Sequence, residues 1–286
     1  MGTLVLSGTV AGLIYGLVAC AIVFVYRASR VVNLAQGDIG MVAAFVFLSL
    51  SVHGDVPYPL GVAAALACGG LLGWLINRLV ISSLGERDQG TGLVVTLALA
   101  SILQLVALQI WGGSAYHFPP WIGGWAGVTI GGLTLRGPEV LALGVSLLFV
   151  VAGSVLYQRS RLGLQLRAVS ESRQAAATLG VPVKRISGYA WLLGGMMSAA
   201  AALLIAPLTR FDPHFMFAVM TSALVAALLA GFSSFPVAMG AAVLIGILRS
   251  VVGFQFGIAG IDQALLLVFA VAVLLVKPPA ALRTVK

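Results

Sequence analysis

Three polar side chains stand close together inside the apolar run 31–52, namely Asn33, Gln36 and Asp38. Asp38 is the only charged residue of that run. An ionisable group that faces lipid costs about 2.5–3.5 kcal/mol on insertion scales, so Asp38 is expected to face the protein interior, a partner chain or a water-filled path. We predict that the three residues line or gate a translocation path, with Gly37 loosening their helix. The alternative is a buried polar knot that joins helices or caps the start of this one.

Weaker polar candidates occur in two other apolar runs. Thr96 and Gln104 lie in the run 91–111 and are placed on the same path, where they could touch a polar substrate. Asp262 lies in the last run. A single polar residue on a membrane helix also bonds readily to a neighbouring helix, so packing is the alternative role for each of them.

No set of residues in the sequence fits catalysis. The three histidines, His53, His117 and His214, are far apart, and no cysteine or carboxylate completes a metal-binding spacing. None of the three lysines follows a glycine, which excludes the phosphate-binding loop of nucleotide hydrolases. We therefore predict a non-enzyme with no catalytic residue, no metal and no cofactor. Energy for uphill transport would have to come from a partner or from an ion gradient.

Composition indicates the solvent around this chain. Hydrophobic residues make up 60% of the 286 residues and charged residues only 8%, with a mean hydropathy of +1.10. Soluble proteins carry roughly 25% charged residues, so most of this surface is expected to face lipid. The net charge of +8 does not indicate nucleic-acid binding, because the basic residues lie between apolar runs and form no stripe.

The apolar runs predict an all-α, polytopic membrane protein with about eight or nine transmembrane or re-entrant helices. A helix needs about 20 residues to cross the hydrocarbon core. Candidate spans lie near 3–26, 31–52, 57–77, 91–111, 139–158, 186–208, 214–231, 235–252 and 257–276. The seventh and eighth are short and interrupted, so they either cross or turn back within the protein. No internal repeat is visible, although inverted repeats can be hidden in sequence.

The basic residues also predict the orientation of the chain. One set of alternate loops holds 13 of the 16 basic residues and the other set holds 3. The smaller set is Arg136, Arg210 and Arg249. Because cytoplasmic loops are rich in Lys and Arg, we predict that the N-terminus lies outside and the C-terminus inside.

Small residues in the first run predict close helix packing. Gly8, Gly12 and Gly16 recur every fourth residue and so share one helix face. Lipid tails are as apolar as leucine, so membrane helices associate where glycine lets their backbones approach. The partner helix could belong to this chain or to another subunit.

The charged segment 159–185 is predicted to be a cytoplasmic loop that contains a short helix. Ser170 or Ser172 can cap that helix, and Glu171 would suit its first turn. A small apolar face is formed by Ala175, Ala176 and Leu179. The helix is expected to end at Gly180 and Pro182. Such a helix is suited to dock into a groove of another protein. The alternative is an interfacial helix lying on the lipid.

These segments resemble one family of membrane proteins. NLAQGD at 33–38, the inner segment SRLGLQLRAVSESRQAAATLGVPVKRI and the Lys277-Pro278 end of the last run resemble the branched-chain amino acid ABC importer permeases. The chain looks most like the shorter of that family's two paired membrane subunits. Residues 1–286 would then form a single transmembrane domain, with 159–185 as its coupling loop.

The resemblance implies a role for each segment and a set of partners. Glu171, Ala176, Leu179 and Gly180 match the coupling positions, and Asn33, Gln36, Gly37 and Asp38 match the second-helix motif. The implied partners are a second permease subunit in a heterodimer, two cytoplasmic ATP-binding subunits and a periplasmic or extracellular substrate-binding protein. The implied solutes are amino acids, branched-chain ones first, or similar small polar compounds, carried across a prokaryotic inner membrane. The competing hypothesis is a self-contained channel or ion-coupled secondary transporter that uses Asp38 and Asp262.

Overall fold

A computed structural model of the chain describes residues 1–84, 89–118, 127–130, 133–257 and 260–276. Its helices are α1 (Gly2–Ser29), α2 (Gln36–Phe47), α3 (Tyr58–Ile76), α4 (Ser82–Leu84), α5 (Gln89–Trp111), α6 (Gly137–Arg159), α7 (Arg161–Glu171), α8 (Arg173–Thr178), α9 (Val183–Ile205), α10 (Met216–Leu229), α11 (Phe235–Phe256) and α12 (Ile261–Val276). One π-helical turn extends α2 over Leu48–Val52, and another extends α3 over Asn77–Ile81. A short antiparallel hairpin pairs β1 (Val128–Ile130) with β2 (Leu133–Leu135).

Each predicted apolar run contains a helix, and the chain is a multi-pass helical membrane protein. Among the described residues, 6 helices are long and apolar enough to cross a membrane. They cover Gly2–Ser29, Tyr58–Ile81, Gly90–Trp111, Gly137–Arg159, Val183–Leu208 and Phe235–Phe256. The apolar segments Gln36–Val52 and Met216–Leu229 are shorter. Four of the basic residues used for the orientation, together with Pro278, lie outside the described residues: Arg87, Lys277, Arg283 and Lys286.

The glycines of α1 lie against α11 of the same chain. A Cβ placed on Gly12 would stand 2.6 Å from Cα of Val243, and one placed on Gly8 would stand 2.8 Å from Cα of Ile247. Gly16 faces the side chain of Met239. The two helices therefore run antiparallel with their backbones in close contact, which only glycine permits at these positions.

The helices pack in a pattern that two halves of the chain share. α1 packs along α11 and α3 packs along α9, and in both pairs the helices are antiparallel. Likewise α2 packs on α9 while α10 packs on α1, and α5 contacts α2 while α12 contacts α10. The first half (α1, α2, α3 and α5) thus corresponds to the second (α9 to α12) with its long helices reversed. This is the arrangement of an inverted repeat, which is common in membrane transporters.

α2 is not the full-length helix that the apolar run suggested. α1 ends where Arg30 adopts a left-handed conformation with φ 59°. Residues 31–35 are not helical, and α2 begins only at Gln36. The corresponding helix of the second half, α10, is also short and follows the irregular segment 209–215. Two short helices preceded by non-helical backbone therefore meet at the centre, between the long helices.

Candidate translocation and coupling site

The non-helical segment before α2 is held by a buried polar network. Asn33 and Gln36 are both fully buried. The amide of Asn33 donates to Oε1 of Gln36 at 2.7 Å, and its own Oδ1 accepts from the N–H of Ala35 at 3.1 Å. Nε2 of Gln36 donates to the carbonyl of Gly194 and to Oγ of Ser198, both at 2.7 Å. Gly194 is near the middle of α9, so the network fixes the start of α2 at half the depth of that helix.

Thr96 completes this network from α5. It is fully buried, and its hydroxyl bonds to the carbonyl of Val32 at 3.0 Å, within the non-helical segment. Non-helical backbone inside a membrane protein must find such partners, because lipid offers none. Asn33, Gln36 and Thr96 therefore use their polar atoms within the chain, which is the geometry of the polar-knot interpretation.

Asp38 differs from its neighbours in the motif. Its side chain is partly exposed, as are those of Val42 and Val46, four and eight residues further along the same face of α2. Within the described part of the chain, no hydrogen bond to another side chain and no ion pair involves Asp38. The opposite faces of α2 are closely packed, since Gly37 faces Met220 of α10 and Gly40 faces the backbone of Ser198. Asp38 is thus the least buried polar side chain of this motif.

Gln104 lies about two turns after Thr96 on α5, towards the other end of that helix. Its Nε2 donates to the carbonyl of Pro213 at 2.8 Å and lies 2.8 Å from Nδ1 of His214. It therefore fastens the irregular segment before α10, as Thr96 fastens the one before α2. His214 itself is exposed.

The segment 159–185 forms two short helices. Ser160 caps α7 by accepting from the N–H of Gly163 at 2.9 Å, and Ser172 caps α8 by accepting from the N–H of Ala175 at 3.2 Å. Gly180 ends α8 with φ +79°. The N–H of Gly180 bonds to Ala177 and that of Val181 bonds to Ala176, which is a Schellman motif.

The four predicted coupling residues occupy different surroundings. Leu179 is 81% exposed, and Gly180 beside it is exposed as well. Ala176 is buried among residues of α1, α6, α7 and α9, so it faces the chain's own core. Glu171 is exposed but is the last residue of α7. The expectation that it lies in the first turn of the loop helix is wrong, because Ser172 rather than Ser170 is the cap.

Arginines at the end of α1 tie these helices to the rest of the bundle. Arg27 donates to the carbonyl of Ser233 at 2.8 Å and to Oγ of Ser170 at 3.1 Å. Arg30 donates to the carbonyl of Ser170, and Arg173 donates to the carbonyl of Ser29 at 3.1 Å. The end of α7, the start of α8, the end of α1 and the turn between α10 and α11 are therefore linked directly.

The turn between α10 and α11 has an unusual backbone. Gly231 and Phe232 both have positive φ, of 59° and 53°. A non-glycine residue in this region is uncommon and marks a constrained turn. The ring of Phe232 packs on Tyr26 at 4.9 Å, one residue before Arg27. Arg27 thus links Ser170 of the 159–185 segment to Ser233 of the turn that follows α10.

An ion pair that the loop charges do not indicate lies at the other end of the second half. Arg249 contacts Asp262 at 2.6 Å and also donates to Oγ of Ser222 at 2.7 Å. Its side chain is only 13% exposed, so Arg249 is not a loop residue as the orientation argument assumed. The two residues belong to neighbouring helices and are 13 positions apart, a spacing that no local pattern signals. Arg249 therefore also balances the negative charge of Asp262.

Comparisons with known proteins agree with this architecture. The family model described as "Branched-chain amino acid transport system / permease component" matches residues 4–277. The branched-chain amino acid permease LivH of Escherichia coli K12 is 24% identical over 255 residues, which cover 84% of this chain and 82% of LivH. The corresponding protein BraD of Pseudomonas aeruginosa is 24% identical over 263 residues, 88% of this chain and 86% of BraD. The chain belongs to the family of branched-chain amino acid transport permeases and is a transport component rather than an enzyme.

Proposed function

We propose that this chain is the membrane-spanning subunit of an ATP-driven importer and forms half of its translocation path. The observation that carries the proposal is the linkage of the 159–185 segment, through Arg27, to the turn that follows α10. Movement of that segment would be transmitted to α10, a short central helix, through the hydrogen bonds of Arg27. The family match supports the class of transporter, and the names of its relatives support branched-chain amino acids or similar small polar solutes as cargo.

The path would run along the partly exposed face of α2. Asp38, Val42 and Val46 offer one acidic group and two small apolar side chains, which suit a solute with an ammonium group and an aliphatic side chain. Gln36 and Asn33 would keep α2 in place, and Thr96 and Gln104 would fasten the irregular segments that precede α2 and α10. One chain lines only one side of such a path, so a second permease subunit, in a heterodimer, would close the other.

The exposed Leu179–Gly180 corner would be the contact with an ATP-binding subunit. Two such cytoplasmic subunits would supply the energy, and a periplasmic or extracellular binding protein would deliver the solute. Ala176 would support the corner from inside rather than touch the partner. This assigns residues 1–286 to a single transmembrane domain with one coupling loop.

The orientation that this scheme requires has the N-terminus outside and the C-terminus inside a prokaryotic inner membrane. Arg27, Arg30 and Arg173 meet at one end of the bundle. At the other end of α1, Ser7 bonds to Glu139 at 3.2 Å. With Arg249 paired to Asp262 between two helices, the outer side keeps Arg136 and Arg210, and the excess of basic residues inside is larger than the loop count suggests.

Substitution of Leu179 tests the docking role. The chain would be co-expressed with a candidate ATP-binding subunit and purified through a tag on the chain. We expect Leu179→Asp to abolish co-purification and to leave the unfolding temperature unchanged, because the side chain is 81% exposed. The control is Leu164→Asp, which changes another exposed leucine, of α7, 61% exposed. Retention of the ATP-binding subunit and of its ATPase activity by Leu179→Asp would show that the corner is not the docking site.

Substitution of Asp38 tests the path. We expect Asp38→Asn to keep both the fold and the partner subunits while uptake of the solute falls by at least about tenfold, since a charge-assisted contact is worth roughly 1.5–3 kcal/mol. Uptake equal to that of the wild-type complex would remove Asp38 from the path. The competing secondary transporter gains no support from Asp262, whose charge is balanced by Arg249.

A further inference from the structure

A cavity of about 460 Å³ lies between α1, α6, α9 and α11, away from the α2 network. Its walls are almost entirely apolar. They include Phe24 of α1, Phe149 and Leu156 of α6, Met196 of α9 and Met239 of α11. None of the predicted path or coupling residues lines it. A volume of this size is within the range of about 300–1,000 Å³ that ligand sites occupy.

Two adjacent small residues leave room in the wall formed by α6. Ala152 and Gly153 both line the cavity, and a Cβ built on Gly153 would meet nothing within 4 Å. The outer face of the same helix carries exposed apolar side chains, among them Leu148, Val151 and Val155. Lipid is therefore the solvent directly beside the cavity.

Basic residues stand at one end of the cavity. Phe149, Gly153 and Leu156 are spaced by three and four residues, so they form one stripe along α6. Arg159 continues this stripe by one turn, about 4.5 Å further along the helix axis. Arg159 and Arg161, which follows at the start of α7, are both exposed. In the described part of the chain, neither guanidinium makes an ion pair, whereas Arg27 nearby is already bonded to Ser170 and Ser233.

We propose that this cavity holds an acyl chain of an anionic phospholipid whose head group binds Arg159 and Arg161. The apolar walls and the methionines suit a flexible hydrocarbon chain. Basic groups at the cytoplasmic ends of membrane helices attract anionic head groups, and an arginine there reaches the phosphate while its stem stays on apolar surface. The positive charge of Arg159 and Arg161 beyond Leu156 is what favours a phospholipid over a second copy of the chain as the occupant. The cytoplasmic position of the two arginines rests on the orientation proposed above, whereas none of the residues assigned to the path or to the ATP-binding contact lines the cavity.

A photoreactive lipid tests the proposal on the purified chain. The chain is placed in nanodiscs that contain phosphatidylglycerol with a diazirine in its acyl chain, irradiated, digested and mapped by mass spectrometry. We expect labelling to concentrate on residues 149–156 and 193–197. The Gly153→Leu side chain would fill the cavity and bring this labelling close to background. The matched control is Gly144→Leu, which changes a second glycine of α6 with open space around it but outside the cavity.

The head group is tested with the same label. We expect phosphatidylcholine carrying the same diazirine chain to label the cavity weakly, and Arg159→Gln with Arg161→Gln to lower labelling by the anionic lipid by about tenfold. Three results would overturn the proposal. They are even labelling of all lipid-facing helices, equal loss in the two glycine variants, and equal labelling by both lipids. A change of oligomeric state in Gly153→Leu without loss of labelling would instead assign the cavity to a second copy.

Discussion

Replacement of Gln36 by leucine tests how the start of α2 is held. The substitution keeps the volume of the side chain but removes the donor to Gly194 and Ser198 and the acceptor for Asn33, three bonds of 2.7 Å each. All of these atoms lie in the buried interior, so water cannot replace the lost partners.

The expected loss of unfolding free energy in Gln36→Leu has one contribution from each lost hydrogen bond. Ser198 can turn its hydroxyl to the carbonyl four residues earlier in its own helix, and Gly194 keeps its helical bond. The two lost bonds to α9 then cost about 0.6 kcal/mol each, the average for side-chain hydrogen bonds in membranes. The amide of Asn33 is left without its acceptor, which costs about 1–3 kcal/mol. The total is about 2–4 kcal/mol.

The assay follows thermal unfolding in detergent with a thiol-reactive dye. The chain has 2 cysteines, and Cys20 is 4% exposed, so in a Cys68→Ala background dye reaction reports unfolding of the core. We expect Gln36→Leu to lower the unfolding temperature by about 5–10 °C. The control is Gln158→Leu, which removes an exposed side chain bonded only to Ser154 of its own helix. If Gln36→Leu and Gln158→Leu both unfold at the same temperature as the Cys68→Ala parent chain, the network does not hold the start of α2 in place.

Three further substitutions probe the packing that supports the site. Gly12→Ala should destabilise the chain by about 1–3 kcal/mol, because its Cβ would enter the backbone of α11, whereas Gly144→Ala should be neutral or slightly stabilising; unfolding temperatures compare them. Arg249→Met should cost about 1–3 kcal/mol by leaving Asp262, whose side chain is only 21% exposed, without its partner, and adding Asp262→Leu should recover most of that loss in a double-mutant cycle. Ala176→Leu should cost about 1–3 kcal/mol, since the position is 2% exposed; wild-type stability would mean that α8 is free of the core.

The helices of this fold could be predicted because their signals are local. Long apolar runs require helices in lipid, and each run contains one. The start and stop of α8 follow from Ser172 and Gly180, whose side chain and backbone act on the next few residues. The close packing of Gly8, Gly12 and Gly16 also follows from spacing, but spacing could not say that the partner is α11.

The rest depends on residues far apart in the chain. Hydropathy cannot tell a helix from a non-helical segment with satisfied polar groups, so the apolar run 31–52 predicts helix over residues 31–35 as well. It is fixed by Thr96 and by the middle of α9, both distant in sequence. The low exposure of Arg249 depends on a carboxylate from the next helix, and no repeat visible in the sequence indicates the inverted packing of the two halves.

The central claim is that ATP-binding subunits act on the path through the 159–185 segment. The direct test is uptake of a labelled branched-chain amino acid into proteoliposomes that contain the chain with its partner subunits and binding protein. We expect uptake by the assembled complex to require ATP inside the proteoliposomes. The Leu179→Asp variant should lose this uptake. Accumulation by the chain alone, driven by an ion gradient in the absence of ATP, would contradict the account.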